Sequence, residues 1–380
     1  MPPRVPDRPE DPRLEIARAE PIKDLADRLG LRLMRAGREW QGACPGCGGR
    51  DRFAVVPAKN AFFCRQCQAA GDQIDLVRLA HGCDFKAALS FLGGAAASID
   101  PAELARRREK AEAEAKRQAE IEERARARAK RDAREIWTAA KPGPDPILVD
   151  YLAARGLRFD PWPKSIRFDP AAPYKVKRAA HRGGNWETLH AGPAMVAAVQ
   201  GPDGKFSGVH RTWIDPARPG QKMRLAHPDS GDDLKSKLTR GSIKGGAIRL
   251  TDPPGASVMV MGEGIETTAT AWISGAYPGA AFWAGVSLGN MAGMMRRAPG
   301  GKPRWSGLPD MSDEGAFFPP PGLDRLIYLE DGDSSPAMTR ASVLCGLRRA
   351  QLTHPRLRGA IVTAGEGRDL NDLLREETGK

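Results

Sequence analysis

Four cysteines in two closely spaced pairs carry the clearest chemical signal in the sequence. Cys44 and Cys47 form one C-x2-C pair, and Cys64 and Cys67 form a second pair after sixteen intervening residues. Zinc binds four thiolates tetrahedrally, and each pair places two sulfurs on the same side of the ion. Two pairs, neither of which opens a βαβ unit, argue against a redox motif. The spacing predicts a structural zinc site that is closed to catalysis.

Charged and aromatic residues lie within and beside this cysteine cluster. Two interpretations of the phenylalanines stay open: stacking on single-stranded template, with the arginines supplying charge, or forming the small core of the zinc ribbon. The residues are Arg50, Arg52, Arg65, Phe53, Phe62 and Phe63. The remaining cysteines, Cys83 and Cys345, stand alone and are predicted to be buried apolar residues.

Acidic residues follow three apolar runs in the last third of the chain. Glu263 follows VMVM, Asp331 and Asp333 end LIYLEDGD, and Asp369 follows RGAIVTA after a short loop. In parallel α/β sheets, ligands gather at the carboxyl ends of strands. Carboxylates brought together there repel one another unless a divalent cation lies between them, and Mg2+ prefers oxygen ligands. The three motifs together predict a Mg2+ or Mn2+ site, although each alone is more typical of a turn.

Basic residues precede the acidic motifs. Four of them are candidates to bind phosphate groups through their positive charge: Arg211, Lys235, Lys237 and Lys244. The turn SIKGG, which contains Lys244, could bring backbone N–H groups against a triphosphate. Taken singly, such a cation is more often an ordinary solvated surface charge, and Arg211 and Lys244 are the stronger candidates for a functional contact. His181 and His210 have no metal-ligand spacing to the cysteines and are predicted not to be ligands.

These residues require several elements to position them, and the pattern predicts a multidomain α+β protein. Apolar runs alternating with helical segments at the carboxyl end predict a mostly parallel, covered sheet. Two runs joined by PDGK predict a β-hairpin. An Ala-, Glu-, Arg- and Lys-rich stretch predicts an exposed helix without a coiled-coil seam. The predicted segments are a flexible arm (1–20), a zinc-binding domain (21–95), a charged helical linker (101–140), a basic α/β subdomain (147–255) and an acidic α/β domain (256–380).

Composition narrows the partners and the compartment. The net charge is +12 in 380 residues, which favours a polyanionic partner because phosphate neutralisation releases counterions. No apolar run is long enough to cross a bilayer, and the first residues lack a signal peptide. We therefore expect a cytoplasmic protein whose cysteines bind metal rather than form disulfides.

The residues around the cysteines resemble a known family. CPGCGGRDRFAV, followed by FFCRQCQAAGDQIDLVRLAHGCDFKAALSFL, resembles the N-terminal zinc-binding domain of bacterial and phage DNA primases. In that family the ribbon helps recognise the single-stranded template. Many members use one histidine ligand where this chain has four cysteines, which affects ligand identity rather than role.

The acidic motifs resemble the Toprim domain of primases, topoisomerases and some nucleases over about residues 256–376. The resemblance implies that Glu263 is a general acid/base or metal ligand and that Asp331, Asp333 and Asp369 bind Mg2+. Two departures stand out. Cellular primases often carry a second acid where this chain has Thr267, with Glu266 one residue earlier. An apparent Pro- and Gly-rich insertion at 296–322 is expected to be a surface loop.

Both resemblances, in this order, predict a DNA-dependent primase that makes short RNA primers on single-stranded DNA from nucleoside triphosphates. Phage, plasmid or other mobile-element replication is the expected context, with a separate replicative helicase as a possible partner because the sequence lacks a Walker A loop. A Toprim nuclease or topoisomerase is one alternative, although no domain could house a nucleophilic tyrosine. A non-catalytic zinc-ribbon DNA-binding factor is the other, and the clustered acids count against it.

Overall fold

The structure is a computed structural model that describes residues 13–37, 39–67, 69–93, 101–178, 185–296, 306–313, 315–330, 336–363, 365 and 370–371, with the backbone alone at Pro336 and at several positions between 101 and 118. The chain divides into two compact units, one made mainly of residues 1–125 and the other mainly of residues 126–380. Within the described residues, no helix combines the length and apolar character that crossing a bilayer requires.

An antiparallel five-stranded sheet and four short helices form the first unit. Its strands run in the order β1-β2-β3-β4-β5. Phe53 and Val77 are fully buried in its core. The elements are α1 (Arg13–Ala19), α2 (Ile22–Arg28), β1 (Leu33–Ala36), β2 (Glu39–Cys44), β3 (Gly48–Val56), β4 (Ala61–Cys64), β5 (Ala70–Gly71), α3 (Gln73–His81) and α4 (Phe85–Gly93).

Helix α1 corrects the prediction that residues 1–20 form a flexible arm. Residues 13–19 are helical, and Ile16 and Ala17 are buried in the core of the first unit. The side-chain amide of Gln73 donates to the carbonyl oxygens of Arg18 (3.1 Å) and Glu20 (2.6 Å) at the end of the helix. Because Pro and charged residues dominate the composition of this segment, its few apolar residues were not expected to be buried.

Helix α5 (Pro101–Ala139) occupies the predicted linker. Its described side chains between 106 and 131 are mostly exposed, as the charge pattern predicts. The last turns differ, because Ala133 is fully buried and packs in a cluster with Val196 and Val209. The helix therefore ends as a packed element of the second unit rather than as a solvated spacer.

An antiparallel sheet in the order β12-β9-β8-β7-β6 follows. The predicted hairpin is confirmed: β8 and β9 pair from Ala194↔Trp213 to Gln200↔Phe206. Its elements are β6 (Lys141–Pro142), α6 (Pro146–Ala153), β7 (Ile166–Lys177), β8 (Trp186–Gln200), β9 (Phe206–Trp213) and β12 (Lys237–Gly241), with β10 (Leu225–Ala226) and β11 (Asp233–Leu234) forming a separate two-stranded ribbon.

A second sheet of this unit runs in the order β13-β15-β14-β16-β17. Strands β15, β14, β16 and β17 are parallel, as predicted, and β13 pairs with β15 in the antiparallel direction. Strand β14 is apolar and almost entirely buried, as expected for a sheet covered on both faces. Its elements are β13 (Ile248–Thr251), β14 (Val258–Gly262), α7 (Ile265–Ile273), β15 (Ala281–Ala284), α8 (Leu288–Ala292), β16 (Arg325–Glu330), α9 (Pro336–Thr353) and β17 (Arg358–Thr363).

One domain boundary and one loop differ from those expected from the sequence. Strand β13 belongs to the parallel sheet, and a single buried core joins residues of both sheets, so no domain border falls at residue 255. The described part of the 296–322 insertion is not simply a surface loop, because Ala316 and Phe317 are buried. Fully buried Arg349 holds the segment by donating to the carbonyl oxygens of Met294 and Asp310 (both 2.8 Å).

Candidate functional site

The four predicted zinc ligands converge at the end of the first sheet. The Sγ atoms of Cys44 and Cys67 are 3.7 Å apart, those of Cys47 and Cys64 are 3.6 Å apart, and all four lie within 4.8 Å of one another. Four sulfurs at ~2.3 Å from a central zinc ion would be separated by ~3.8 Å. The donor set and its spacing therefore fit a tetrahedral zinc ion.

Local backbone geometry shapes this site. Cys44 and Cys64 end strands β2 and β4, and Gly48 and Gly49 follow the first knuckle with φ of 71° and 90°. Those angles favour glycine because a Cβ atom is strained there. Burial raises the pKa of the Cys44 and Cys67 thiols and also opposes the thiolate of Cys64, but hydrogen bonds from the backbone N–H groups of Cys67 and Gln66 lower the pKa of Cys64 to about 7.

The surroundings of the zinc site decide between the two interpretations of the phenylalanines. Phe53 and Phe62 are buried and pack with ring centroids 5.5 Å apart, so they form the core of the ribbon. Phe63 remains half-buried, and the guanidinium of Arg65 lies 5.0 Å from its ring centroid while also pairing with Glu39. Among the six residues named from the sequence, Arg65 and Phe63 place a charge beside a half-buried ring.

The parallel sheet brings together the carboxyl ends of the strands that precede the predicted acidic motifs. Glu263 directly follows β14, and β16, which Asp331 and Asp333 follow in the sequence, is the neighbouring strand. Next to β16 lies β17, which precedes Asp369. Neighbouring strands are ~4.8 Å apart, so the carboxyl ends of all three are close. Asp331, Asp333 and Asp369 themselves lie outside the described residues.

Half-buried Glu263 lies in a tightly held turn. The Thr268 hydroxyl donates to the carbonyl oxygen of Gly264 (2.8 Å) and accepts from the N–H of Gly262 (3.2 Å). A Cβ atom at Gly262 would lie 2.9 Å from that hydroxyl, so the position requires glycine. On the other side, the N–H of Val286 donates to the carbonyl oxygen of Glu263 (2.9 Å).

Asn371, two residues after Asp369 in the sequence, forms hydrogen bonds near the first acidic motif. Its side-chain amide donates to the carbonyl oxygen of Arg155 (2.8 Å) and to the hydroxyl of Thr270 (3.2 Å). Thr270 lies on α7, the helix that begins just after Glu263. Asn371 is therefore anchored against the helix that follows Glu263.

A buried ionic cluster adjoins this edge, centred on Glu266. Lys222 Nζ is 3.1 Å from Glu266 Oε1, and Lys237 Nζ is 3.5 Å from Oε2. The Tyr151 hydroxyl donates to Oε1 at 2.9 Å. Because Lys237 Nζ also lies 4.0 Å from the Cβ position of Gly264, the cluster reaches the Glu263 turn.

Electrostatics keep Glu266 ionised. Burial alone would raise the pKa of this carboxyl, but Lys237 and Lys222 hold it well below its usual range. Burial also opposes the charge on Lys237, yet Glu266, with a contribution from Glu263, raises the pKa of this ammonium. The Lys222 pKa is lowered, chiefly by burial. Two lysines and one carboxylate leave an excess positive charge beside Glu263.

His210 lies in the same cluster in its neutral form. Burial, together with the nearby Lys237, lowers its pKa to about 4. Its Nδ1 atom is buried without a hydrogen-bond partner among the described residues. The other histidine named from the sequence, His181, lies outside the described residues.

The predicted nucleotide-binding cations do not form one group. Lys237 on β12 faces Glu266 and pairs with Thr212 on β9. Arg211 precedes Thr212 on the same strand, so its side chain projects from the other face of the sheet. There the Arg211 guanidinium lies 4.7 Å from the Trp213 ring centroid and donates to the carbonyl oxygen of Pro173 (3.3 Å). Lys235 and Lys244 are exposed.

Sequence reasoning missed the partners of Glu266. Lys222, Tyr151 and Lys237 come from a loop, helix α6 and strand β12, and nothing in their spacing links them. The one available signal was Glu266 itself, an acid on the second residue of an otherwise apolar and threonine-rich helix. An unpaired carboxylate there would be costly to bury, which implies a cationic partner.

Comparisons with known proteins support the assignment of the amino-terminal residues to a zinc ribbon. Residues 15–107 match the CHC2 zinc finger, the zinc ribbon of DnaG primases, and residues 127–250 match a domain of unknown function, DUF7146. No curated protein matches the chain. The amino-terminal module is thus a primase-type zinc ribbon.

Three solved structures resemble the chain weakly. A primase from Aquifex aeolicus (zinc binding and RNA polymerase domains) is 15% identical, with 96% of this chain and 82% of that chain covered and a TM-score of 0.32. A DNA primase domain from Pseudomonas aeruginosa is 12% identical (60% and 67% covered, TM-score 0.34). The primase fragment of the bacteriophage T7 primase-helicase protein is also 12% identical (89% and 94% covered, TM-score 0.30). At such low identities and TM-scores these likenesses carry no conclusion about activity.

Proposed function

We propose that this chain, whose amino-terminal module is a primase-type zinc ribbon, is a DNA-dependent primase that synthesises short RNA primers on single-stranded DNA. One observation carries the proposal: the strands that precede the three acidic motifs, β14, β16 and β17, are parallel neighbours in one sheet. The motifs therefore follow the same edge, where α/β proteins bind phosphate-bearing ligands. Replication of a phage, plasmid or other mobile element is the proposed context, on resemblance alone.

Glu263, Asp331, Asp333 and Asp369 would hold Mg2+ or Mn2+ at this edge, since oxygen donors suit both ions. When bound, the ion orients phosphates and stabilises charge as a phosphodiester forms. The turn that Thr268 and Val286 fix holds Glu263 at the carboxyl end of β14, which supports this role. The same carboxylate could accept the proton of an attacking primer hydroxyl, as the Toprim resemblance implies.

Lys237 is the proposed contact for the incoming triphosphate. Its side chain is 36% exposed, so the ammonium can face solvent while Glu266 orients it. Lys222 also pairs with Glu266, so the single negative charge of this carboxylate neutralises the positive charge of Lys237 only in part. Exposed Lys235 and Lys244 would add longer-range attraction, and Arg211 would contact template or nucleotide on the other face of the sheet.

In the first unit, the zinc ion would be structural. Four cysteine ligands leave no open coordination position for chemistry. Arg65 and the half-buried ring of Phe63 are the proposed contacts to unpaired template bases. Chemistry and template reading are thus assigned to separate units of the chain.

Tyrosine burial argues against a topoisomerase. Tyr151, Tyr174 and Tyr328 are each at most 3% exposed, and Tyr151 is bound to Glu266. The fourth tyrosine, Tyr277, lies at the amino end of β15, at the opposite edge of the sheet from Glu263. None is available as a nucleophile beside the acids.

Primer synthesis tests the proposal directly. Zinc-loaded protein is incubated with labelled nucleoside triphosphates, Mg2+ and single-stranded DNA of mixed sequence. We expect short oligomers from the parent protein, none from Asp331→Ala/Asp333→Ala, and normal amounts from Glu120→Ala/Glu123→Ala, a matched pair of exposed acids on α5. Failure of the parent to make oligomers, or equal synthesis by the Asp331→Ala/Asp333→Ala protein, would refute the primase assignment.

A further inference from the structure

An aromatic cleft lies in the second unit, away from the acidic edge. Its volume is about 920 Å3, and its lining includes Ala280 just before β15 and Thr251 at the end of β13. Glu263 follows the carboxyl end of β14, which is parallel to β15, so the cleft lies at the opposite edge of that sheet. The proposed chemistry therefore leaves this cleft unassigned.

Half-buried aromatic side chains dominate the cleft. They come from α5, the loop after α6, strand β9, helix α7 and the loop before β15: Trp137, Trp162, Phe206, Trp272 and Tyr277. Some faces are already covered, since Phe159 stacks on Trp272 with centroids 5.3 Å apart. The remaining exposed ring surface offers several flat contacts within one concavity, as bases require for stacking.

Positive charge surrounds these rings. Arg134 and Lys164 are exposed, and the Arg134 guanidinium lies 4.2 Å from the Phe206 ring centroid. Arg249 also lines the cleft, and Asp252, the one acid among the lining residues, pairs with it at 2.8 Å. Two cations thus remain without an acidic counterpart in the lining, which suits a polyanion better than an apolar peptide.

A buried polar group supplies a second indication of a ligand. Ser165 lines the cleft, is 8% exposed, and its hydroxyl has no hydrogen-bond partner among the described residues. Buried hydroxyls are usually satisfied, so an unpaired one beside a large cleft indicates a missing polar contact. The volume is near the upper end of the ~300–1,000 Å3 typical of ligand sites, which favours more than one base.

We infer that this cleft binds an unpaired nucleic-acid strand, with bases stacked on Trp137, Phe206 and Tyr277 and phosphates paired with Arg134 and Lys164. Its identification as the template strand rests on the proposed function. The site itself does not, because strand binding here requires neither the acids nor nucleoside triphosphates.

Photocrosslinking locates the strand. Full-length zinc-loaded protein is irradiated with single-stranded oligo(dT) carrying 5-iododeoxyuridine, without nucleotides, and crosslinked residues are identified by mass spectrometry. We expect crosslinks at cleft aromatics, both in the parent and in Asp331→Ala/Asp333→Ala, so that loss of primer synthesis and loss of strand binding are distinguished. Crosslinks confined to residues outside the cleft would overturn the inference. If thymidine monophosphate blocked the crosslinking as well as unlabelled oligo(dT) does, the cleft would be a mononucleotide pocket and the inference would also be overturned.

Charge reversal measures the contribution of the cleft to affinity. Arg134→Glu/Lys164→Glu should weaken oligo(dT) binding by about tenfold or more and reduce the slope of log affinity against log salt by about 2. The matched control is Arg356→Glu/Arg358→Glu, two exposed arginines next to or on β17. It makes the same change in net charge and should bind nearly as the parent does. Equal loss in both variants would show a general charge effect and contradict a strand site in the cleft.

Discussion

Glu266 is a fully buried carboxylate that depends on two lysines from distant parts of the chain. Lys222 and Lys237 contact its two oxygens, and Tyr151 donates to one of them. Removing one partner of a buried ion pair leaves an uncompensated charge, which is more costly than the absence of the whole group. Glu266 is therefore expected to stabilise the fold and to orient Lys237.

Glu266→Gln should lower the free energy of unfolding by about 2 to 3 kcal/mol, somewhat less than for a fully enclosed pair because both lysines retain some exposure. Urea denaturation measures the change. Asp252→Asn, which removes an exposed partner of Arg249, should cost no more than ~0.5 kcal/mol. Adding Lys222→Met to Glu266→Gln should recover part of the loss, and a further loss would contradict the proposed charge balance.

His210 predicts a dependence of stability on pH. Its folded-state pKa of about 4 lies below the usual histidine pKa of about 6.5, so between these values the unfolded chain binds a proton that the folded chain does not. The free energy of unfolding should therefore fall as pH falls through this window, by about 3 kcal/mol in total. His210→Gln should flatten that part of the profile relative to the parent. Parallel profiles for the two proteins between pH 6.5 and 4 would show that His210 is not held neutral.

At the scale of elements, Asn290 joins the turn before β13 to the end of β15. Its side chain accepts from the N–H of Gly245 (2.9 Å) and donates to the carbonyl oxygens of Gly246 (2.8 Å) and Gly285 (2.9 Å). This buried residue thereby fixes the SIKGG turn that carries Lys244. Three backbone groups depend on one side chain.

Asn290→Ala should destabilise the second unit by about 3 kcal/mol, because buried backbone groups would lose their partners. Thermal denaturation followed by circular dichroism measures the change. Ser274→Ala, which removes an exposed hydroxyl at the end of α7, should shift stability by no more than ~0.5 kcal/mol. A small effect of Asn290→Ala would mean that water or neighbouring groups satisfy the turn.

Local signals explain what could be predicted from the sequence. The zinc ligands follow from two tight turns, and the parallel strands follow from apolar runs such as VMVM, because each pattern is complete within a short segment. Glu266 with Lys222 and Lys237, the buried helix α1 and the antiparallel strand β13 could not be predicted. Each depends on contacts between segments far apart in sequence, which periodicity does not encode.

Two compact units make up the whole molecule, and the zinc ligands all belong to the first. Zinc binding to a closed four-cysteine site contributes directly to folding. The parallel sheet of the second unit has its own buried core and does not include the cysteine ligands. The stability of the two units should therefore respond differently to loss of metal.

Chelation of zinc, or Cys64→Ser, should unfold the first unit and leave the second folded. Metal analysis should show loss of the zinc, and limited proteolysis should degrade the first unit while sparing a fragment that begins near residue 126. Cys83→Ser, a half-buried thiol that is not a ligand, should retain zinc. Unchanged zinc content in Cys64→Ser would contradict the ribbon.

The proposed primer synthesis requires that Glu263, Asp331, Asp333 and Asp369 converge on one divalent metal ion. Fe2+ in place of Mg2+, with ascorbate and peroxide, produces hydroxyl radicals that cut the backbone near the bound ion. Cuts are predicted near residues 263, 331–333 and 369 together, suppressed by excess Mg2+ and absent from Asp331→Ala/Asp333→Ala. Cuts at only one of the three motifs, or cuts that Mg2+ does not suppress, would contradict a shared catalytic metal site.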